Sequence, residues 1–258
     1  MSKIQEINIE IAGYQIKILT DDEKLHHIIT DKSRQFILKK CRKKGVVFLI
    51  KKQKEYVEIC EKGKRKKIFK LKHKEEWLKH FQTLRLAMMY WLVKKKCVIL
   101  HSSVIKTKDG IVLFSGPTGN GKTTLAHIAS QKGAEILQED EAVIKKVRGK
   151  YLVYPFSLIP PHHEFYKNKN GELKTIIFVG HAHKKNFLKK LSQLDAYKNL
   201  IANDFLMYIS TMFQIKKRYI KKIAQFYYKF SKKKTFYRLK FVPNQQAVRY
   251  LNEKIGLQ

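Results

Sequence analysis

Short runs of alternating apolar and polar residues fill about the first seventy positions, the pattern of β-strands with one buried face. INIEIAGYQIKIL predicts one half-buried strand, and GVVFLIKK, EYVEIC and KIFKLK predict three more, the last two joined by the turn EKGKRKK. A helical segment over residues 22–38 interrupts them. The pattern therefore predicts a small β-rich lobe over residues 1–74.

The hydrophobic period changes to three and four residues after position 75, which is the period of a helix with one buried face. The residues that carry it are Trp77, Leu78, Phe81, Leu84, Met88, Trp91 and Leu92. We predict one buried helix over residues 75–93, and we assign its Met and aromatic side chains to the core.

Strand and helix patterns alternate in the remainder of the chain. VILHSSVI and GIVLFSG predict strands joined by KTKDG, in which Asp-Gly favours a tight hairpin. A helix over residues 122–131, the strand AEILQED, the hairpin AVIKKVRGKYLVYPF and the strand TIIFVG follow. Ser192 and Asp195 resemble a capping box before the helix AYKNLIANDFLMYI. A basic helix over residues 215–230 and the closing strand TFYRLKFVP complete a predicted α/β domain over residues 75–258.

The formal net charge is +34, from 55 basic and 21 acidic residues. Lysine greatly outnumbers arginine, and Ile, Asn, Tyr and Phe are plentiful, a composition typical of an AT-rich genome. Proteins that bind phosphate backbones favour arginine, whose planar group grips phosphate with two hydrogen bonds. The charge favours an acidic partner, and nucleic acid remains an open but less favoured one.

The cysteines and the hydrophobic runs indicate the compartment. Cys41, Cys60 and Cys97 are odd in number and widely spaced, so they suggest neither a disulfide framework nor a zinc site. The beginning of the chain lacks the apolar core of a signal peptide, and no run approaches the roughly 18 apolar residues of a membrane-spanning helix. We therefore expect a cytoplasmic protein with no transmembrane segment.

A glycine-rich motif follows the strand IVLFS and precedes a predicted helix. Gly116, Gly121, Lys122 and Thr123 match the pattern G-x-x-x-x-G-K-[ST], in the context that this motif requires. Its glycines let backbone amides approach a phosphate, its lysine contacts the β- and γ-phosphates, and its threonine can ligate Mg²⁺. We call residues 116–124 the glycine loop, and we predict that it binds ATP and Mg²⁺. Its nucleotide-binding candidates are Gly116, Pro117, Thr118, Gly119, Asn120, Gly121, Lys122, Thr123 and Thr124.

The residues on either side of the glycine loop indicate which class of reaction it serves. Glu139, Asp140 and Glu141, here called the acidic turn, follow AEIL at the expected exposed end of a strand. A kinase that phosphorylates hydroxyls needs one carboxylate for Mg²⁺ and a second to accept the proton. His101 lies on the strand before the loop and would approach the γ-phosphate if the two strands are neighbours, although a lone histidine is as readily structural. We found no LSGGQ-like stretch of a transporter ATPase, and TKDG precedes the loop, on the wrong side for a guanine-binding motif.

The segments LHSSVI, GIVLFSGPTGNGKTTLA and GAEILQEDEAVI together resemble the catalytic core of the HPr kinase/phosphorylase superfamily. The stand-alone members of that superfamily, which include lasso-peptide precursor kinases, are the most similar. The resemblance covers residues 75–160 and, more loosely, later elements. It implies a P-loop nucleotide-binding core of the HPr kinase C-terminal and PEP carboxykinase type, with a small N-terminal β-rich lobe. The Glu-Val-Arg-Gly-Leu-Gly run of true HPr kinases is missing, so the resemblance does not extend to HPr as acceptor or to the reverse phosphorylase reaction.

Carried over by position, the resemblance assigns roles to individual residues. It places His101 near the phosphates, makes Lys122 and Thr123 the nucleotide and metal ligands, and makes Asp140 the second acid of the family's Asp-Asp pair. Glu139 stands at the position of the first acid. The candidate catalytic residues are Glu139, Asp140, His101 and Lys122, and the candidate metal ligands are Thr123 and Asp140. Which of the two acids is the general base stays open.

The leading hypothesis is an ATP-dependent kinase that transfers the γ-phosphoryl group to a hydroxyl, a serine of an acidic peptide or small protein such as a ribosomal peptide precursor. A kinase of a small-molecule alcohol is one alternative, and the oligomeric state is open. Another alternative is a protein that binds nucleic acid or a membrane surface through the basic segment 215–240 and uses ATP as a switch. That segment carries an apolar stripe, which more simply predicts a helix packed on the domain. The stripe consists of Ile215, Tyr219, Ile220, Ile223, Tyr227 and Phe230.

Overall fold

The computed structural model describes residues 4–39, 46–52, 56–61, 67–72, 77–156, 169–205 and 217–256. These residues belong to two units, one extending to Trp91 and the other beginning at Leu92. The predicted turn over residues 62–66, Cys41, Ile215 and the predicted end of a helix at 206–209 lie outside the described residues.

The first unit is built on a five-stranded sheet in the order β1-β2-β3-β4-β5. Neighbouring strands are antiparallel except β2 and β3, which are parallel. The strands are β1 (Gln5–Ile11), β2 (Tyr14–Thr20), β3 (Val46–Lys52), β4 (Tyr56–Glu61) and β5 (Lys67–Lys72). Helix α1 (Glu23–Lys32) connects β2 to β3, and helix α2 (Trp77–Lys94) follows β5. This architecture has the β-rich character that the alternating pattern predicted for the beginning of the chain.

The prediction of one strand for INIEIAGYQIKIL was wrong, because this segment forms the hairpin of β1 and β2. Ala12 and Gly13 form its two-residue turn with φ of 53° and 71°, and two successive positive φ angles are typical of a type I′ turn. Ile11 pairs with Tyr14 across this turn. The buried residues stand at odd positions in β1 and at even positions in β2, so the alternation shifts phase at Ala12 and Gly13, and that shift is the sequence signal of the turn.

The second unit is an α/β arrangement around an eight-stranded sheet. Its strands are β6 (Val98–Thr107), β7 (Gly110–Ser115), β8 (Glu135–Gln138), β9 (Glu141–Val147), β10 (Lys150–Pro155), β11 (Gly171–His181), β12 (Phe187–Lys190) and β13 (Thr235–Phe241). Its helices are α3 (Lys122–Ser130), α4 (Gln193–Ala202), α5 (Lys217–Ser231) and α6 (Gln245–Ile255). Together with α1 and α2, these make six α-helices within the described residues.

The strand order β10-β9-β6-β7-β11-β13-β12 determines which strand ends lie together. β7, β11 and β13 are parallel neighbours, so their carboxyl ends lie at one edge. β6 is antiparallel to both β7 and β8. The carboxyl end of β8 therefore points toward the same edge as the carboxyl end of β7, which is where the glycine loop begins.

Helices α3 and α6 share one apolar core with β7, β11 and β13. The sequence pattern predicted α3 but missed α6. Signals for α6 were present: Asn244 accepts a hydrogen bond from the backbone N–H of Gln246, as an N-cap does, and Ala247, Val248 and Leu251 are buried at helical spacing. At α4, the predicted cap at Ser192 is confirmed, since its Oγ accepts from the N–H of Asp195.

The apolar stripe of α5 packs into the second unit. Ile223, Tyr227 and Phe230 are buried, whereas Ile220 is exposed. This arrangement is the packed helix that the simpler interpretation of the stripe predicted. Within the described residues, none of the helices has the length and apolar character needed to cross a membrane.

Candidate functional site

The glycine loop connects the carboxyl end of β7 to the first residues of α3. Its glycines adopt conformations that other residues rarely reach, with φ of 153° at Gly116, 84° at Gly119 and 81° at Gly121. Gly121 is the N-cap of α3, and its carbonyl accepts the first helical hydrogen bond, from the N–H of Leu125. The loop therefore ends at a helix N-terminus, where backbone N–H groups lack partners within the helix.

Close packing explains the glycines at both ends of the loop. A Cβ on Gly116 would lie 2.9 Å from the carbonyl oxygen of Val179, and one on Gly121 would lie 2.7 Å from the Phe241 ring. Val179 belongs to β11 and Phe241 to β13. Strand β11, which pairs with the loop's strand, and the next strand, β13, therefore both pack against the loop, and a side chain at either glycine would displace it.

Two polar side chains fix the middle of the loop. Asn120 donates from Nδ2 to the carbonyl oxygen of Val179 at 3.1 Å. His181 at the end of β11 donates from Nε2 to the carbonyl oxygen of Gly119 at 2.7 Å, and its ring stacks on Phe241. His181 was not among the residues predicted from the sequence, although its place after the buried strand TIIFVG was a usable signal. The loop is therefore held in one shape by the protein itself.

Lys122 points into the loop and is only 6% exposed. Its Nζ donates to the carbonyl oxygens of Gly116 at 3.0 Å and Pro117 at 2.9 Å. Burial lowers the pKa of Lys122 to about 8, and the nearby negative charge of Asp140 acts in the opposite direction. The cation is thus placed inside the loop, with a carboxylate close enough to act on it.

The outer rim of the loop is open to solvent. Its exposed residues are Pro117, Thr118, Gly119, Thr123 and Thr124. An anion that approaches this rim meets the N-terminus of α3, whose dipole favours negative charge. A buried lysine behind a ring of backbone groups and an open hydroxyl rim can together accommodate a chain of phosphates.

The acidic turn lies at the carboxyl end of β8, but our expectation that it is exposed was wrong for two of its residues. Glu139 is 4% exposed and Glu141 is fully buried, whereas Asp140 is half-buried. Glu139 accepts a hydrogen bond from Nε2 of His127, on α3, at 2.6 Å. Asp140 is the acid whose charge acts on Lys122. The acids therefore differ in surroundings, as expected where a strand ends and successive side chains face opposite sides.

His101 lies on β6 and forms a hydrogen bond with the backbone of the acidic turn. The prediction that its strand neighbours the loop's strand is confirmed, because β6 pairs with β7. Its Nδ1 lies 2.9 Å from the carbonyl oxygen of Asp140, which also accepts from the N–H of Ser102 at 3.0 Å. The Ser103 hydroxyl donates to the carbonyl oxygen of Glu139 at 3.0 Å. A carbonyl oxygen only accepts, so Nδ1 carries the proton, and in the neutral ring Nε2 carries the lone pair.

The donor atoms at this edge suit a magnesium ion that arrives with phosphates. Thr123 offers a hydroxyl and Asp140 a carboxylate, the hard oxygen ligands that Mg²⁺ prefers. Among the described residues no cluster of three or more His, Cys, Asp or Glu side chains could hold a metal alone. Mg²⁺ commonly binds through one or two protein oxygens plus substrate phosphates, so the residues present fit this ion.

The fold and the loop define an α/β protein with a strand, glycine loop and helix at the carboxyl ends of the parallel strands of a mixed sheet. No protein-family model matches the chain, and no curated protein matches it either. One similar solved structure is the Hpr(Ser) kinase/phosphatase from Coxiella burnetii, 12% identical over 61% of this chain and 97% of that chain, with a TM-score of 0.34. A similarity of that size carries no argument, so the functional conclusion depends on the site.

Proposed function

We propose that this protein is an ATP-dependent kinase that transfers the γ-phosphoryl group to a hydroxyl, a serine on an acidic peptide or small protein. One observation carries the proposal: a buried lysine inside a preformed glycine loop, with the carboxylate of Asp140 acting on it. A phosphate-binding loop by itself supports many reactions. The added acidic turn, on the same edge of the sheet, supplies the carboxylates that phosphoryl transfer to a hydroxyl requires.

Each site residue has a proposed role. Lys122 neutralises charge on the β- and γ-phosphates, and the backbone amides at the start of α3 hold the phosphates. Thr123 and Asp140 would hold Mg²⁺, which would supply positive charge against the negative charge of the phosphates. His101 fixes the backbone of Asp140 through Nδ1, and the role proposed for its other ring nitrogen is to face the phosphates.

Glu139 is the proposed proton acceptor. One of its carboxylate oxygens, Oε1, is held by His127, which fixes the orientation of the carboxylate. The second oxygen, Oε2, takes the proton of the acceptor hydroxyl. As that proton leaves, a bond forms between the acceptor oxygen and the γ-phosphorus. The bond from this phosphorus to the bridging oxygen breaks, and ADP departs with the electron pair.

The affinity for ATP is expected to fall as the pH rises above about 8, because Lys122 loses its charge there in the nucleotide-free protein. Phosphates favour the charged lysine, so binding takes up a proton above this pKa, and the affinity falls about tenfold per pH unit. Calorimetry with Mg-ATP between about pH 7 and about pH 9.5 measures this slope. Lys122→Arg is the matched control, since a guanidinium stays charged over that range and its slope should be flat. An equal slope in both proteins would contradict the assignment.

Peptide acceptors of graded charge test the proposed reaction. Labelled ATP and a set of single-serine peptides should give phosphopeptides, with kcat/KM rising as the peptide becomes more acidic. The reason is electrostatic attraction by a chain of net charge +34. The trend should flatten when ionic strength rises from about 0.05 M to about 0.5 M, because salt screens it. The matching peptides with alanine for serine are the control and should take up no label. A preference for basic peptides would contradict the acidic acceptor, and no phosphopeptide from any acceptor would contradict the kinase.

A further inference from the structure

Helices α4 and α5 of the second unit border a groove that plays no part in the site described above. Near the beginning of α4, a cavity of about 910 Å³ lies between the two helices, and a second of about 400 Å³ follows toward the end of α4. Tyr197 and Ala224 line both cavities, so the two are adjacent. We call the pair of cavities the helix groove. Helix α4 has ten residues, so the groove is about 15 Å long at the rise of an α-helix.

Large apolar side chains stand exposed along this groove. Leu194 is 59% exposed, Tyr228 is 50% exposed and Ile220 is 38% exposed. Leu194 and Tyr228 line the first cavity and Ile220 the second. Clustered exposed apolar residues with a polar border are typical of a surface that binds a partner. Single exposed apolar residues would carry no such meaning.

The charges that border the helix groove are positive. Lys221 and Lys229 line the first cavity, and none of the described residues that line it is acidic. Lys198 lines the second cavity together with Asp204. The Asp204 carboxylate accepts a hydrogen bond from the buried hydroxyl of Tyr227, so this acid is turned into the protein. A segment that carries both apolar and acidic side chains complements this surface.

The far end of the groove contacts the candidate site. The backbone N–H of His101 donates to the carbonyl oxygen of Asn203 at 3.2 Å, and Leu100 forms a β-bridge with Asp204. The ring of Phe205 meets the ring of His101 edge to face at 5.8 Å. The residues that end α4 therefore touch the strand that holds the acidic turn. A chain bound along α4 would have one end near the glycine loop.

We propose that the helix groove binds the acceptor: an extended acidic peptide segment, with an apolar side chain seated between Leu194 and Tyr228. At about 3.3 Å per extended residue, four or five residues fill the groove. The acceptor hydroxyl lies just beyond them, past the end of α4. The placement of the acceptor hydroxyl past the end of α4 rests on the proposed kinase function. The binding of the peptide segment in the groove is a separate property, which is measurable without ATP.

Peptide binding tests the groove directly. The probe is a fluorescein-labelled acidic peptide with one leucine and, four or five residues away, one serine, and its anisotropy is followed without nucleotide. The double variant Lys221→Glu/Lys229→Glu should raise the Kd by about tenfold or more, since two attractive charges become repulsive. Leu194→Asp should raise the Kd as well, by placing a negative charge where the apolar side chain binds. The control is Lys222→Glu, which makes the charge change of one of these two substitutions on the same helix outside the groove and should leave the Kd near that of the unchanged protein.

The outcomes separate this inference from the kinase. If Lys222→Glu weakens binding as much as the double variant, only the overall charge matters, and the groove proposal is overturned. Equal binding of a peptide without the leucine would overturn it too. If the protein binds anionic vesicles or single-stranded nucleic acid more tightly than the peptide, and the double variant loses that binding, the groove belongs to another partner and the peptide proposal is overturned. If the peptide binds in the groove but no acceptor is phosphorylated, the groove proposal is supported and the proposed kinase function is contradicted.

Discussion

Lys122→Ala is expected to abolish phosphoryl transfer, with a fall in turnover of about 10³-fold or more. The alanine removes the cation that the glycine loop holds between the carbonyl oxygens of Gly116 and Pro117. A charge fixed in advance inside a largely buried site stabilises the transition state without reorganisation, which is why its loss is costly. Initial rates of ADP release and phosphopeptide formation measure the effect.

A matched variant separates the loss of the cation from a general loss of lysine charge. Lys132→Ala removes an exposed lysine just beyond the far end of α3, and this variant should keep its turnover. Thermal unfolding of Lys122→Ala should be followed beside its activity, because Gly116 and Pro117 lose a hydrogen-bond donor. Turnover at the unchanged rate in folded Lys122→Ala protein would refute the role of the loop.

Asp140→Asn and Glu139→Gln are expected to fail in different ways, although the residues are neighbours. Asp140→Asn should lose Mg²⁺-dependent activity and bind Mg-ATP more weakly, because its carboxylate is the proposed metal ligand. Glu139→Gln should bind Mg-ATP normally but slow the transfer by about 10² to 10⁴, the range for a lost general base. Its amide oxygen still accepts from His127, so the local structure is kept. Calorimetry with Mg-ATP and single-turnover rates distinguish the two results.

Glu135→Gln is the matched control for these variants. Glu135 begins β8, the strand that leads into the acidic turn, and its carboxylate binds Lys169 on the surface, so its change should leave turnover intact. Unchanged turnover in Glu139→Gln would show that Glu139 is not the base. In that case the contact with His127 would be a purely structural link between β8 and α3.

The sequence predicted the strand and helix on either side of the glycine loop, and helices α2 and α4, because each has a local cause. The motif from Gly116 to Thr123 requires a strand, a loop and a helix start, and the structure has β7, the loop and α3 there. The helical spacing around Met88 and Trp91 predicted α2, and Ser192 caps α4 as its sequence signal indicated. The interpretation of INIEIAGYQIKIL as one strand was wrong because it passed over an equally local signal, the shift of the apolar positions from odd to even numbers across Ala12 and Gly13. The resemblance to the HPr kinase superfamily and the roles of the site residues stay predictions.

The sequence by itself determined where chemistry could occur: it placed a lysine in a glycine loop and three carboxylates in one short turn. Tertiary structure alone decided how these groups are arranged. Three features depend on elements distant in sequence. Lys122 is buried, Glu139 accepts a hydrogen bond from His127 while the charge of Asp140 acts on Lys122, and His181 donates to the carbonyl oxygen of Gly119. The physical reason is that motif spacing reflects backbone constraints within a few residues, whereas burial, charge proximity and hydrogen-bond partners arise when β6, β8, β11 and β13 assemble around the loop.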